Sequence, residues 1–258
     1  MIYIYLLIPI LAFIPAVFWF FIFLKEDRLD SEPKKLIVKI FIIGALSGLL
    51  AGLLELAFIF LIPRELGNDI FNFLAAQGLK NAASLPIIII IIIAFAAIEE
   101  ILKIGAVKTF IYHDQNFNQV VDGAIYGISA ALGFATLENI NYFIETTVKL
   151  GLGGLVTVFI IRFFATTLMH ALTTGVAGYY LGKVKYTNNN SFYWKGLFIA
   201  VFIHSAFNLF INLGLVGFVL DIVLLIAAFW FLIKRMESFD AQVIWKLVFF
   251  RNFKAPQA

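Results

Sequence analysis

No cysteine occurs in this chain, which excludes disulfides, thiolate metal sites and a cysteine nucleophile. Charge is nearly as scarce. Only 14% of residues are Asp, Glu, Lys or Arg, against about 25% in soluble domains. No HExxH metalloprotease motif is present, and no internal repeat is visible, which disfavours an inverted-repeat transporter. Stretches long enough for a soluble domain are also missing. What fills the chain is apolar: 62% hydrophobic residues, 30 phenylalanines and a mean hydropathy of +0.99. This is the composition of a multi-pass membrane protein. A net charge of +3 gives no ground for nucleic-acid binding. The opening Met1-Ile2-Tyr3-Ile4-Tyr5 has no basic segment before Lys25, so a retained first span is expected rather than a signal peptide.

A span needs about 20 mostly apolar residues. Seven windows qualify: 2–24, 36–62, 86–107, 120–143, 153–181, 197–213 and 215–233. The last two meet near Asn212-Leu213-Gly214, so six to eight helices fit the pattern. The expected fold is an all-α polytopic membrane bundle of about seven transmembrane helices. Fifteen of the 19 Lys and Arg residues follow spans 1, 3, 5 and 7. The positive-inside rule then puts the N-terminus outside and the C-terminus in the cytoplasm. Residues 1–235 read as one transmembrane domain. Residues 236–258 read as a cytoplasmic tail, either an interfacial amphipathic helix built on Phe239, Val243, Leu247 and Phe250 or a disordered basic segment. The connection 63–85 has some amphipathic character.

Seven of the ionisable residues inside these windows stand out: Glu99, Glu100, Lys103, Glu138, Arg162, His170 and His204. Each unpaired charge at the centre of a span costs roughly 2.5–3.5 kcal/mol on insertion scales. Seven such residues must therefore meet one another, or water, in a protein-lined interior. Adjacent residues on a helix point about 100° apart, so Glu99 and Glu100 can face a cavity and a neighbouring helix respectively. Lys103 shares a face with Glu99. Two close carboxylates in a low-dielectric site tend to hold one proton between them, as a general base for water activation requires. A salt-bridged helix end accounts for the same three residues.

His204 and Asn208 stand at i and i+4, a spacing that suits two metal ligands, a histidine oriented by an amide, or helix-packing hydrogen bonds. Arg162, Thr166 and His170 form a stripe along span 5, with Thr173 and Thr174 nearby. Gly123 and Gly127, beside Asp122 at the start of span 4, permit close helix approach. Helix rise puts Glu138 about 8 Å, and Arg162 about 13 Å, from the outer end of their spans, against about 20 Å for Glu99 and Glu100. A Glu138–Arg162 pair would hide both of those charges. Either span 3 extends inward to Tyr112 and sits higher, or a cavity joins the two depths. Glu55 and Asp221 are isolated and read as structural or close to a loop.

In order along the chain these residues resemble the PrsW family of intramembrane proteases. Glu99-Glu100-Ile101-Leu102-Lys103 matches its EExxK motif. Phe134-Ala135-Thr136-Leu137-Glu138-Asn139 is similar to its FxxxEN element. His170 and His204-Ser205-Ala206-Phe207-Asn208 are similar to its two later histidine elements, and Asp27 to Pro33 to its acidic-proline segment. The match runs over roughly residues 25–210. The family is similar to the wider CAAX-protease and bacteriocin-processing group. The resemblance implies peptide-bond hydrolysis of membrane-anchored, single-span substrates at the bacterial cell membrane, anti-sigma factors being the best-known class. It implies Glu99 or Glu100 as the water-activating base, His170 and His204 as partners, and Asn208 as an amide near the oxyanion. Lys103, Glu138, Asn139, Arg162 and Asp122 would support them. Metal use stays open: His170, His204 and Glu138 could hold Zn2+, or Glu and His could activate water alone. Two other functions also fit: a non-catalytic scaffold or immunity-type protein of the same fold, and an ion-coupled transporter.

Overall fold

The computed structural model describes residues 2–25, 32–61 and 85–252, with side chains over 3–25, 32–61 and 85–237. The expected acidic-proline segment falls largely, and the 63–85 connection almost wholly, outside the described residues. Among the described residues seven α-helices follow one another: α1 Ile2–Leu24, α2 Lys34–Phe60, α3 Leu85–Phe110, α4 Val120–Ile161, α5 Thr167–Thr187, α6 Ser191–Phe210 and α7 Gly214–Asn252. A π-helical turn, Arg162–Thr166, joins α4 to α5. There is no strand among the described residues. The tail is helical in backbone through Asn252, continuous with α7; its side chains lie outside the described ones.

Among the described residues six stretches are long and apolar enough to cross a membrane. One of them, Val120–Thr187, has 68 residues, about 100 Å of helix if straight, over three times the hydrocarbon thickness. It cannot run straight, and it folds back at Gly151, where φ 65° and ψ −155° define a backbone region essentially reserved for glycine. The two arms then pair symmetrically about Gly151 to within two residues. Phe143 meets Phe159 at 5.9 Å between ring centroids, and Glu138 meets Arg162. Further along, Gly127 lies on Thr174, Gly123 on Gly178 and Val120 on Gly182. The hairpin raises the number of crossings among the described residues to seven. The separation of the last two helices comes from the turn before Gly214, with φ 60°. At the far end of α5, Asn188 takes the left-handed φ of 52°, as a residue ending a helix often does.

The hairpin is the centre of the bundle. Residues 120–136 and 167–182 are buried on every face, so these segments are covered by other helices rather than by lipid. The surrounding helices bury one stripe each. On α1 the stripe is Ile8, Ala12, Ala16 and Phe23; on α2 it is Ile40, Gly44, Ser47 and Ala51. Both recur at helical spacing. Their opposite faces, with Leu6, Phe21, Leu53 and Phe60 among many, are exposed and apolar, as a lipid-facing surface must be.

Association inside a bilayer gains little from the hydrophobic effect and depends on close packing. Small residues supply it here. The close approach expected of Gly123 and Gly127 is made to α5: a methyl group at Gly178 would lie 1.9 Å from the Gly123 carbonyl oxygen, and one at Gly127 would lie 2.5 Å from that of Thr174. Gly44 of α2 fits as tightly on Ala130, at 2.0 Å. Gly178→Ala is therefore expected to lower unfolding stability in detergent by about 1–3 kcal/mol. Gly105→Ala, where added carbon meets nothing within 4 Å, should lose none and gain up to about 1 kcal/mol of helix propensity. Thermal unfolding of the two purified variants checks the contrast.

Candidate active site

Glu99, Glu100, Lys103, Glu138, Arg162, His170 and His204 meet in one hydrogen-bonded network. It begins on α3, where the helical repeat aims Glu99, Glu100 and Lys103 inward; Glu100 and Lys103 are wholly inaccessible. Lys103 Nζ donates to Glu100 Oε1 at 2.7 Å and to Glu99 Oε2 at 3.2 Å. Its third contact is His170 Nδ1 of α5, at 3.0 Å. The Phe134 ring of α4 covers the ammonium, 4.4 Å from Nζ to the ring centre.

The two glutamates differ in how much they are already bound. Glu100 Oε1 also accepts from Thr173 at 3.0 Å and meets His204 Nδ1 at 2.9 Å. Its Oε2 accepts from Thr174 at 2.8 Å. Both its oxygens are engaged. Glu99 has one hydrogen bond, to Lys103, and its side chain retains 9% exposure against 0% for Glu100. Glu99 Oε2 stands 3.7 Å from His204 Nε2 and 3.8 Å from His170 Nδ1.

Lysine can only donate, so the neighbour of Lys103, His170 Nδ1, is an acceptor and Nε2 carries the proton. That Nε2–H donates to Glu138 Oε2 at 2.8 Å. His204 is the mirror case: Nδ1–H donates to Glu100, leaving the Nε2 lone pair facing Glu99. Each imidazole thus has a carboxylate on its far nitrogen, the arrangement that orients a metal-binding or proton-accepting histidine. Glu99 Oε2, His170 Nδ1 and His204 Nε2 face one space, with Lys103 already donating to the first two.

Behind His170 the network continues. Glu138 Oε2 also accepts from Arg162 Nη2 at 2.8 Å. Arg162 Nε donates to Asn139 Oδ1, and its guanidinium lies 4.1 Å from the Tyr142 ring centre. Asn139 in turn donates to Thr167 at 3.2 Å and the Ala12 carbonyl at 3.4 Å, tying α1 to the hairpin. Arg162 and His170 reach the same oxygen from eight residues apart. An α-helix would turn about 800° over that distance, about 80° beyond two full turns. The π turn, with its i to i+5 bonding, winds more slowly and takes up the excess. Backbone groups loosened at such a turn need other partners in a membrane, and the Trp19 indole N–H donates to the Phe163 carbonyl at 2.7 Å.

The depth mismatch between Glu138 and Glu99 disappears in the folded hairpin. The first arm of α4 stays helical to the turn at Gly151, past the expected end at residue 143. Glu138 therefore lies about 20 Å below the turn, level with the α3 glutamates. Two further residues stand apart from the cluster. Asp122 caps α4, accepting from the backbone N–H groups of Asn118 and Gln119 at 2.6 and 2.5 Å, about 24 Å along the helix from Glu138. Asn208 is half-buried one turn beyond His204, with no side-chain hydrogen bond among the described residues. Glu55 is not isolated as its sequence context suggested: it lies within electrostatic reach of Glu138, Lys103 and Glu99. Sequence reasoning also gave no role to Phe134 or Tyr142.

A family model described as the PrsW family intramembrane metalloprotease matches residues 32–233. The chain belongs to the PrsW family. It is similar to Protease PrsW of Clostridioides difficile, at 26% identity over 95% of each chain. It is also similar to that of Geobacillus kaustophilus, at 26% over 72% of this chain and 71% of the relative. Protease PrsW of Oceanobacillus iheyensis is 32% identical over 66% and 65%. No solved structure matches the chain. This PrsW-family intramembrane protease is a multi-pass protein of the bacterial cell membrane.

The donor set is chemically that of a divalent ion, which would have to displace the Lys103 ammonium from His170 Nδ1. One atom each from Glu99, His170 and His204 lie within 4.8 Å of one another. Tetrahedral Zn2+ at about 2.0–2.1 Å from each ligand needs them about 3.4 Å apart, a few tenths of an ångström closer than Glu99 lies to the two imidazoles. Two histidines and a glutamate are a known catalytic zinc set. Glu138, on the opposite nitrogen of His170, is outside this trio. Two measurements follow. Zn2+ titrated into purified protein should bind at about one per chain, and less in His204→Ala. Lys103→Met leaves two buried carboxylates uncompensated and should cost about 3–5 kcal/mol of unfolding stability. Loss of the exposed Lys149–Glu145 pair in Lys149→Met should cost under about 1 kcal/mol.

Proposed function

We propose that this PrsW-family protease hydrolyses peptide bonds in single-span membrane proteins of the anti-sigma-factor kind, with Glu99 as the base that activates water. The single observation that carries the choice of base is the difference between the two adjacent glutamates. Glu100 has both oxygens held by Lys103, His204, Thr173 and Thr174. Glu99 Oε2 accepts only from Lys103 and faces two imidazoles, and its Oε1 has no hydrogen bond among the described residues. A general base needs an uncommitted lone pair within reach of a water.

Glu99 takes a proton from water as the oxygen attacks the substrate carbonyl carbon, and returns it to the departing amine when the C–N bond breaks. His204, oriented by Glu100, holds the attacking water through its free Nε2. His170, oriented by Glu138 and Arg162, fixes the Lys103 ammonium at Nδ1. That ammonium, its three N–H groups already used, contributes positive charge beside the developing oxyanion, and the donor assigned to it is the Asn208 amide, one turn beyond His204 and without a side-chain hydrogen bond among the described residues. Zn2+ held by Glu99, His170 and His204 would take the place of the Lys103 ammonium at His170 Nδ1 and would supply positive charge that lowers the pKa of a bound water and polarises the carbonyl. Water reaches the centre from the Glu138 side, because Glu138 is the most accessible member of the network, with 25% side-chain exposure.

Co-expression with a panel of tagged single-span proteins tests the reading. Wild type should cleave at least one member. Glu99→Gln, which keeps shape and removes basicity, should slow that cleavage at least about 100-fold with unchanged expression and thermal stability. Undiminished cleavage by Glu99→Gln would refute the assignment.

A further inference from the structure

A peptide bond inside a helix must be unwound before it can be attacked, and unwinding frees backbone N–H groups. In a bilayer those groups cannot turn to bulk water, so a protease working there has to provide acceptors. Among the described residues three side chains have a buried oxygen with no hydrogen-bond partner: Glu55 Oε1, Asp122 Oδ1 and Asp221 Oδ1. Asp122 is committed to its helix cap through its other oxygen, far from the cluster. Asp221 is buried on α7, which contributes no residue to the cluster. Glu55 alone lies near the site.

Its position follows from the packing of α2 on α4. Gly44 sits on Ala130, and Gly48 on Phe134 and Leu137, so the two helices run parallel. Glu55 continues the buried stripe of Ser47 and Ala51 and comes level with Glu138 or one turn beyond it, on the Gly151 side. Glu138 of α4 and Glu99 and Lys103 of α3 are the charged groups within electrostatic reach of it. Helix register thus sets Glu55 beside the Glu138 end of the network, the more accessible one.

We propose that Glu55 is a substrate-binding residue whose carboxylate accepts a backbone N–H of the unwound substrate segment beside the scissile bond. This rests on the proteolytic reading above. The role is recognition of an exposed peptide N–H, so an amide oxygen can replace the carboxylate.

The test uses the full-length protein in proteoliposomes with a single-span substrate that wild type cleaves. Glu55→Ala should lower kcat/KM at least about tenfold, mainly through KM, the size expected for a lost buried hydrogen bond. Glu55→Gln should stay within about threefold of wild type. Since the oxygen has no protein partner to lose, both variants should keep the wild-type melting temperature; Glu55→Leu serves the same comparison with the side-chain bulk retained. Replacing single substrate amides by esters should reveal one N–H whose loss slows wild type about tenfold and Glu55→Ala not at all. Wild-type rates from Glu55→Ala and Glu55→Leu, or an ester scan that affects wild type and Glu55→Ala equally, would overturn the proposal. Glu99→Gln run alongside separates the two ideas: if it is inactive while Glu55→Ala is fully active, only Glu55 loses its role, whereas an active Glu99→Gln removes the proteolytic reading itself.

Discussion

A lysine ammonium with no access to water is the constraint around which this bundle is arranged. Stripping an ion of solvent costs several kcal/mol even after relaxation, and Lys103 is completely inaccessible. Its three N–H donors need three acceptors, and they find them in Glu99, Glu100 and His170. Two come from its own helix, one turn back. The third must come from elsewhere, so α5 cannot be displaced from α3 without leaving a donor bare. The same logic passes outward. Glu100 needs the hydroxyls of α5 and the imidazole of α6; Glu138 needs Arg162. Charge that would be intolerable singly becomes a set of reciprocal restraints on four helices.

Those restraints work only because the backbones come close enough. Short side chains such as threonine and glutamate span a few ångströms, and Thr173 and Thr174 reach Glu100 from a helix otherwise packed through Gly175, Gly178 and Gly182. The glycines on α4 and α5 set the axis separation, and the polar contacts take up the remaining distance. Packing and electrostatics are thus linked: widening the hairpin would weaken the very bonds that neutralise the buried charge.

The spans were legible because hydropathy directly reports what a bilayer demands of length and composition. The facing of Glu99 and Lys103 was legible because helical spacing sets it. Three features escaped. The inner-arm extension past residue 143 passes through Glu145, Thr146, Thr147 and Lys149, polar enough to read as a loop, yet these residues remain helical with Lys149 paired to Glu145 at 2.5 Å. The π turn leaves no trace in hydrophobic periodicity, since it shifts register by a residue without altering composition. Glu55 looked solitary because its neighbour Glu138 is 83 positions away in the chain, and only the parallel packing of α2 on α4 makes them neighbours. Each of the three depends on tertiary packing rather than on a local pattern.

Adjacent glutamates in a motif invite treatment as an equivalent pair, and the helix argues against it. A step of one residue rotates a side chain by about 100°, enough to carry one carboxylate into the junction of α3, α5 and α6 and leave the other at its edge. Glu100, in the junction, meets three donors besides Lys103 and can relinquish none without leaving a buried polar group unpaired. Glu99, at the edge, has a spare lone pair and some access to water. Strong hydrogen bonding to the charged form makes a carboxylate a poorer base, so the same bonds that make Glu100 a good anchor for Lys103 and His204 unsuit it for taking a proton. Chemistry needs one group held and one group free, and consecutive positions on a single buried helix turn supply both without further machinery.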